Sequence, residues 1–196
     1  MNSLCIVGAG AAGSGAAYAL RDTAIDVTVL EKSRGVCGRA ATRRKNGCRY
    51  DHGANYVKDP DDRTTELLYE LGEDGLFDID QPVWTFDGGG RISEGDGRDE
   101  HKFGWTEGLT QLAKRLLART DAEVRTGTRV ASIDREGERW SLTDSEGGGH
   151  GPFDALLLTP PAPQTAALLA DTRWDDGRLP RLREAVGSVP YRTVRS

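Results

Sequence analysis

The pattern of hydrophobic and polar positions predicts a parallel sheet whose first two strands are joined by a helix. Residues 4–7 form a short apolar run that ends in glycines, which is typical of a buried strand. Small residues recur at helical spacing from Ala11 to Arg21, so this helix can lie close to the sheet. A second strand follows at residues 26–30. Because such crossovers join parallel strands, we expect a doubly wound, Rossmann-like α/β fold.

The rest of the chain is predicted to alternate between helices and short strands. The predicted elements are, in chain order, an extended loop at 35–55, a helix at 63–71, a turn or hairpin at 87–100, a helix capped by Thr106 with Glu107 early in it, short strands at 124–126, 129–133 and 139–143, a buried strand at 155–158, helices at 164–170 and 179–186, and the start of a strand at 189–194. The three short strands, which are separated by turn residues, favour a small antiparallel β-meander.

A glycine-rich sequence lies directly between the first strand and the first helix. It reads Gly8-Ala9-Gly10-Ala11-Ala12-Gly13 and matches the dinucleotide-binding fingerprint. Gly8 permits the tight turn, Gly10 lets the backbone approach a pyrophosphate, and Gly13 lets helix and strand pack closely. Glu31 ends the second strand, where a carboxylate can accept hydrogen bonds from ribose hydroxyls. The fingerprint therefore predicts an adenine dinucleotide, and by itself it fits FAD and NAD equally.

The segments after the second strand distinguish these cofactors by resemblance. They are Glu31-Lys32-Ser33-Arg34-Gly35-Val36-Cys37-Gly38-Arg39, then Thr42-Arg43-Arg44, then Asp51-His52-Gly53-Ala54-Asn55-Tyr56. This pattern resembles the amine-oxidase-like flavoproteins and, within them, the renalase-like group. The resemblance implies FAD, with Arg39 neutralising phosphate and Arg43 as a secondary candidate. It also implies a cofactor role for Lys32, Gly35, Gly38, Ala41 and Thr42, and for the backbone of Val130 near the adenine.

The same resemblance implies a chemistry. His52, Asn55 and Tyr56 would lie beside the isoalloxazine ring as candidate catalytic residues, where they could orient a substrate or hydrogen-bond the flavin. The flavin would accept a hydride from a reduced donor, either a nicotinamide-type dihydropyridine or an amine, and pass electrons to oxygen. Two alternatives stay open, namely a non-catalytic FAD- or nucleotide-binding module and an NAD-binding dehydrogenase domain.

Two features depart from the family's pattern. Cys37 stands where the family commonly has the first glycine of a pair, and at a positive φ a cysteine costs about 1 kcal/mol or more. We expect an inert residue there rather than a reactive thiol. Family members also continue through a substrate domain to a glycine-rich segment that touches the flavin. Either a missing C-terminal segment or a partner is therefore expected to complete the site, or the protein is a reduced form whose flavin site is open to water. The predicted divisions are 1–75 with 104–170 for the FAD-binding domain and 76–103 with 171–196 for a partial substrate domain.

Composition narrows the function classes. The 31 acidic and 26 basic residues give a net charge of -5, so no basic surplus exists for nucleic acid, and the basic cluster at residues 43–45 is expected to be a solvated loop. No apolar run approaches the roughly 20 residues that a bilayer requires. With no basic n-region at the start, we expect a cytoplasmic protein that acts on a small molecule without membrane contact.

Other chemistries find little support in the sequence. The three cysteines form no Cys-x-x-Cys pair, and His101 and His150 lie in polar turns, so no metal site is expected. A nucleophile-elbow sequence is absent, which argues against a serine hydrolase. Trp84 and Trp105 are expected to pack in the core rather than to act in catalysis.

Overall fold

The computed structural model describes residues 1–59, 62–82, 84–95 and 101–191. The strands are β1 (Ser3–Val7), β2 (Asp26–Glu31), β3 (Thr42–Lys45), β4 (Cys48–Asp51), β5 (Val57–Asp59), β6 (Leu76–Asp78), β7 (Trp84–Phe86), β8 (Ile92–Glu94), β9 (His101–Trp105), β10 (Glu123–Thr126), β11 (Val130–Glu136), β12 (Arg139–Asp144), β13 (Gly149–Phe153) and β14 (Ala155–Leu158). The helices are α1 (Ala11–Ala19), α2 (Arg63–Glu70), α3 (Thr110–Leu117), α4 (Ala162–Ala170) and α5 (Arg178–Gly187).

The central sheet has four parallel strands in the order β10–β2–β1–β14. Cys5 and Ile6 of β1 are completely buried, as expected for an apolar strand covered on both faces. On one face, Ala17 of α1 packs in a cluster with Ile6 and Val29. On the other, Cys5 packs in a cluster with residues of β11 and β12. The predicted Rossmann-like α/β fold is confirmed.

One predicted strand belongs to a different sheet. Residues 124–126 lie in β10, which pairs in parallel with β2 and places Thr126 opposite Glu31. The antiparallel meander is instead β11–β12–β13, and its last strand begins at Gly149. A strand this short carries no periodicity that could indicate its neighbour.

The helix predicted to begin after Thr106 starts later. Gly108 has a φ of +87°, and this left-handed turn delays α3 until Thr110. Glu107 therefore lies outside the helix, where Arg44 and Arg49 donate to its carboxylate at 3.0 and 2.7 Å. Its predicted place in the first turn of the helix was wrong, and a pair of arginines on the neighbouring hairpin binds it instead.

The segment predicted as one extended loop, residues 35–55, contains a short 3-10 turn at Gly38–Ala40 and the β3–β4 hairpin. Asn46 and Gly47 both have positive φ angles, +53° and +76°, as a two-residue type I′ turn requires. The Asn-Gly pair is the sequence signal for this hairpin. The basic residues beside it hide that signal because they lack the apolar alternation of a half-buried strand.

A second group of strands consists of the sheet β5–β9–β6 and the separate hairpin β7–β8. Trp105 is buried there in a cluster with Phe103 and Leu109, as predicted. Trp84 is 63% exposed on the separate hairpin, so its predicted place in the core was wrong.

The turn predicted at 87–100 joins β7 to β8, although residues 96–100 lie outside the described part of the chain. Residues 189–191 form no strand, and the rest of that predicted strand also lies outside it. Within the described ranges, no helix is both long enough and apolar enough to cross a bilayer.

Candidate functional site

The loop between β1 and α1 brings backbone groups close together. Gly8 has a φ of +99°, and its N–H donates to the carbonyl oxygen of Leu30 at 2.8 Å. A Cβ at Gly13 would lie 1.9 Å from the Gly8 carbonyl oxygen, so helix and loop meet backbone to backbone. A Cβ at Gly10 would meet no atom within 4 Å, and no side chain caps α1. The N–H groups of the first helical turn are therefore open to an anion.

Glu31 ends β2 with its carboxylate turned toward the glycine loop. The residue is 5% exposed. Ala9 N–H donates to Oε2 at 2.8 Å, and Ser33 N–H donates to Oε1 at 2.8 Å. Because each carboxylate oxygen has two lone pairs, both oxygens keep one for a ribose hydroxyl. One side chain thus fixes the loop and can also bind a sugar.

Thr159, directly after β14, is a residue that the sequence analysis does not single out. Its hydroxyl lies 2.8 Å from the carbonyl oxygen of Val7, to which it donates, and 3.1 Å from that of Gly8. A Cβ at Gly8 would lie 2.7 Å from this hydroxyl oxygen, so a glycine is required beside it. The two residues meet because the carboxyl ends of neighbouring parallel strands share one edge of the sheet. No sequence pattern links positions that far apart along the chain.

The turn after β2 packs against the glycine loop through Cys37. Its N–H donates to the carbonyl oxygen of Ala9 at 2.8 Å, and its φ is +80°, the left-handed conformation that glycine adopts more easily. The thiol is buried and donates to the carbonyl oxygen of Leu109 at 3.4 Å. Burial raises the pKa of the Cys37 thiol, which keeps it protonated at neutral pH. These features fit the inert residue that the sequence predicts.

Arg39 joins the turn to the segment predicted to face the flavin. Ala54 N–H donates to the Arg39 carbonyl oxygen at 3.2 Å, and a Cβ at Gly53 would lie only 1.8 Å from the same oxygen. The exposed guanidinium donates from Nη1 to the Tyr191 hydroxyl at 3.0 Å. Two segments that the resemblance assigns to the cofactor are therefore in direct contact, and the Arg39 charge has no carboxylate partner in the described part of the chain.

A clamp formed by Thr42, Asp51 and Thr110 fixes the far side of this segment. The Thr42 hydroxyl donates to Asp51 Oδ1 at 2.6 Å, and its N–H donates to Thr110 Oγ1 at 2.7 Å. In return, Thr110 N–H donates to Thr42 Oγ1 at 3.0 Å. Asp51 also accepts from Leu109 N–H at 3.1 Å, so the hairpin supplies caps to the start of α3. Thr42 is thus fixed by hydrogen bonds within the protein. Asp51, which belongs to the predicted motif, and Thr110, which does not, are positioning residues whose role was not predicted.

The remaining predicted site residues differ in their surroundings. His52 and Tyr56 are half-buried and Asn55 is exposed, and in the described ranges their side chains form no hydrogen bond. Lys32 donates from Nζ to Gln164 Oε1 at 2.8 Å. The other members lie in the same region: Ala11 and Ala12 are exposed at the start of α1, Gly35 and Gly38 are exposed, Ala41 is half-buried, and Val130 is buried at the start of β11.

The histidines predicted to lack a metal role, His101 and His150, each lie beside a carboxylate. His150 Nε2 is 2.8 Å from Asp144 Oδ2, and His101 Nδ1 is 2.5 Å from Asp78 Oδ2. A search of the described residues finds no group of three or more histidine, cysteine or acidic side chains that could hold a metal ion.

The geometry fits the ADP half of a dinucleotide. An uncapped helix N-terminus beside the open Gly10 can receive a diphosphate, and the Glu31 oxygens can receive ribose hydroxyls. The turn that carries Arg39 lies next to the same loop, because a Cβ on Gly38, its neighbour, would lie 3.3 Å from Gly10 Cα.

Comparison with known proteins agrees with this geometry. Protoporphyrinogen oxidase 2 of Arabidopsis thaliana is 36% identical over 80 residues, which cover 40% of this chain and 16% of that protein. Two solved structures share the fold: the CLA-producing fatty acid isomerase of P. acnes (TM-score 0.68, 16% identity, 88% of this chain and 61% of that chain) and a putrescine oxidase double mutant from a redesign of cofactor binding (TM-score 0.70, 14% identity, 93% and 63%). The chain spans less than two thirds of each of these relatives.

Matches to two protein families together cover nearly the whole chain. Residues 6–71 match the NAD(P)-binding Rossmann-like domain, and residues 74–195 match the flavin containing amine oxidoreductases. The second match alone covers more than half of the sequence. The chain therefore belongs to the flavin containing amine oxidoreductase family, whose cofactor is FAD.

Proposed function

We propose that this chain binds FAD and is part of an oxidoreductase that takes a hydride from a reduced small molecule and passes electrons to oxygen. The observation that carries the proposal is the meeting of three features at one edge of the sheet. They are the uncapped N-terminus of α1, the Glu31 carboxylate and the Arg39 turn. The motif from Glu31 to Tyr56 supports placing the chain in the renalase-like group.

Each feature has a separate task in binding the cofactor. The α1 N-H groups and the Arg39 guanidinium neutralise the diphosphate, while Glu31 accepts from the ribose. Binding requires Arg39 to exchange its hydrogen bond to Tyr191 for one to phosphate. That exchange is favourable because a charged acceptor replaces a neutral hydroxyl. When bound, FAD supplies the hydride-accepting ring, and the protein contributes orientation and control of access.

We propose that the electron donor is either a nicotinamide-type dihydropyridine or an amine. The resemblance to the renalase-like group favours a nicotinamide-type dihydropyridine. The likeness in fold to a putrescine oxidase bound to putrescine favours an amine. In either case His52, Asn55 and Tyr56 are the proposed substrate-orienting residues. Their side chains have no hydrogen-bond partner in the described ranges, so they are available to a ligand.

We also propose that the chain divides into two domains. Residues 1–75 and 104–170 would form the FAD-binding domain, and residues 76–103 and 171–196 would begin a substrate domain. The exposed apolar side chains of Trp84, Phe86 and Ile92 support this division, because a two-stranded hairpin is seldom stable without a covering surface. A further segment or a partner would complete the flavin site. The proposed location is the cytoplasm, which suits the free cysteines.

The colour and reduction of the purified protein test the function. We expect a yellow protein whose flavin is bleached by NADH or by an amine in the absence of oxygen and recovers its colour when oxygen is admitted. Bound flavin that no donor reduces would support the second candidate, a non-catalytic FAD-binding module, which the exposure of Arg39 and Asn55 favours. A colourless protein that binds NAD and refuses FAD would contradict both.

A further inference from the structure

The outward side of the β3–β4 hairpin carries positive charge that no carboxylate of the described residues neutralises. Cross-strand partners in an antiparallel pair share one face, and the register pairs Arg43 with Tyr50 and Lys45 with Cys48. These four residues are exposed, and together they define the basic face. Within the described ranges, neither Arg43 nor Lys45 forms an ion pair with a carboxylate.

The opposite side of the hairpin is fully engaged. Arg44 and Arg49, which are also cross-strand partners, both donate to Glu107. Arg49 Nη1 donates in addition to the carbonyl oxygen of Thr106 at 2.7 Å. Together with the clamp of Thr42, Asp51 and Thr110, these contacts hold the hairpin against the start of α3. The basic face is therefore held in a fixed orientation on a hairpin that packs through its other side.

The base of the hairpin lies at the proposed phosphate-binding arginine. The hairpin begins three residues after Arg39, and soon after it ends, Gly53 and Ala54 return to contact the Arg39 carbonyl oxygen. The basic face thus continues outward from the cofactor site. On a protein with a net charge of -5, such a local surplus of cations attracts an anion that the rest of the surface repels.

We propose that the basic face binds the phosphate groups of a dinucleotide electron donor, with the Tyr50 ring against one of its flat bases. This inference rests on the proposed function and chooses the phosphate-bearing dihydropyridine over the amine. Guanidinium and ammonium groups pair with phosphate, and an aromatic ring beside a cation can stack on a base. A cationic amine would be repelled by Arg43 and Lys45 and would gain nothing from them.

The test combines Arg43→Gln and Lys45→Gln in the FAD-loaded protein and measures equilibrium binding of NAD⁺ and NADP⁺ by titration calorimetry. We expect Kd to rise about tenfold, since exposed ion pairs contribute up to about fivefold each. The slope of log Kd against log salt concentration should become shallower. A larger loss for NADP⁺ than for NAD⁺ would assign the face to the extra 2'-phosphate, and equal losses would assign it to the shared diphosphate.

A matched control removes the same two charge types elsewhere. Lys114→Gln with Arg181→Gln changes two exposed residues that form no ion pair in the described ranges, and it should leave both dissociation constants unchanged. Kinetics give a second readout: NADH concentration at half-maximal anaerobic flavin reduction should rise in the hairpin variant, while the limiting rate stays constant. Putrescine, as the amine probe, should lose no affinity.

The inference and the proposed function can fail separately. If the wild type holds FAD and the hairpin variant binds both dinucleotides as tightly as the wild type, the basic face has no such role. Equal weakening in the hairpin and control variants would also overturn it, because a general charge effect would then explain the loss. A wild type that holds no FAD would instead reject the proposed function, and comparing the hairpin and control variants in NAD⁺ titrations without FAD would still decide whether the hairpin binds phosphate.

Discussion

The two halves of the candidate site are held in different ways. The ADP half consists of the glycine loop and Glu31, whose partners are backbone groups within the first strand–helix–strand unit or just after it, with Thr159 as the main exception. The flavin-side half, residues 39–56, is exposed over much of its length and depends on distant residues such as Thr110. The first half is preorganised for a ligand. The second is anchored at its ends and offers free side chains, so further contacts must complete it.

A substitution in the glycine loop should lower the stability of the protein more than any other change considered. Gly13→Ala introduces a Cβ that would lie 1.9 Å from the Gly8 carbonyl oxygen, a backbone atom that cannot move aside. We expect the free energy of unfolding to fall by about 3 kcal/mol, or Tm by roughly 10 °C, with loss of bound FAD. Gly15→Ala in the same helix meets no atom within 4 Å and should stabilise by up to about 1 kcal/mol. Thermal unfolding that shows similar effects for both would refute a close-packed loop.

A matching change on the flavin side should mainly affect the ligand. Gly53→Ala places a Cβ 1.8 Å from the Arg39 carbonyl oxygen, but this exposed segment can shift. We expect a loss of stability of only about 1–2 kcal/mol, together with FAD binding weakened by about tenfold or more as Arg39 moves. Flavin fluorescence quenching measures the affinity.

The control for that change is Gly88→Ala on the β7–β8 hairpin, which meets no atom within 4 Å and should leave FAD affinity unchanged. If Gly53→Ala destabilised the fold as strongly as Gly13→Ala without selectively weakening FAD, the two halves would not differ as described.

Cys37 lies where the two halves meet. The energetic cost of its positive φ can be measured with a pair of variants. Comparing Cys37→Gly with Cys37→Ala removes the thiol in both cases and leaves only the cost of a side chain at a φ of +80°. The glycine variant should be about 1 kcal/mol more stable in chemical denaturation and should bind FAD at least as well. Equal stabilities would mean that the turn relaxes to a negative φ when the thiol is removed.

The smallest effect on stability is expected for a substitution outside both halves of the site, at Asp154. Its Oδ2 accepts from the N–H groups of Asn2 and Ser3 at 2.6 and 3.0 Å, and Arg139 lies 3.1 Å from Oδ1. These hydrogen bonds, with the arginine charge, hold the pKa of Asp154 below its usual value. Its contribution to stability is therefore present above about pH 4, the unfolded value, and is lost as the pH falls through the lower folded value.

Asp154→Asn should lower Tm by a few degrees at neutral pH and make the decline of Tm with acid less steep. Asp121→Asn, at an exposed carboxylate with no hydrogen bond in the described ranges, serves as the control. An unchanged acid profile in the Asp154 variant would show that another carboxylate governs the acid response.

The same contrast explains what the sequence could predict. The glycine loop and Glu31 are recognisable because their spacing follows from one strand–helix–strand unit. Thr159 and Thr110 reach the site through sheet and helix packing, which leaves no local pattern. The β3–β4 hairpin was not predicted because basic residues surround its Asn-Gly turn. β10 was assigned to the wrong sheet because it is too short to show which neighbour it pairs with.

The nucleotide released when the purified protein is denatured tests the central claim most directly. Chromatography with absorbance and mass detection should identify FAD at about one per chain, or FAD should bind at that ratio when it is added to the purified chain. Release of NAD alone would contradict the account. Failure of the purified chain to bind added FAD, even when FAD is in large excess, would contradict it as well.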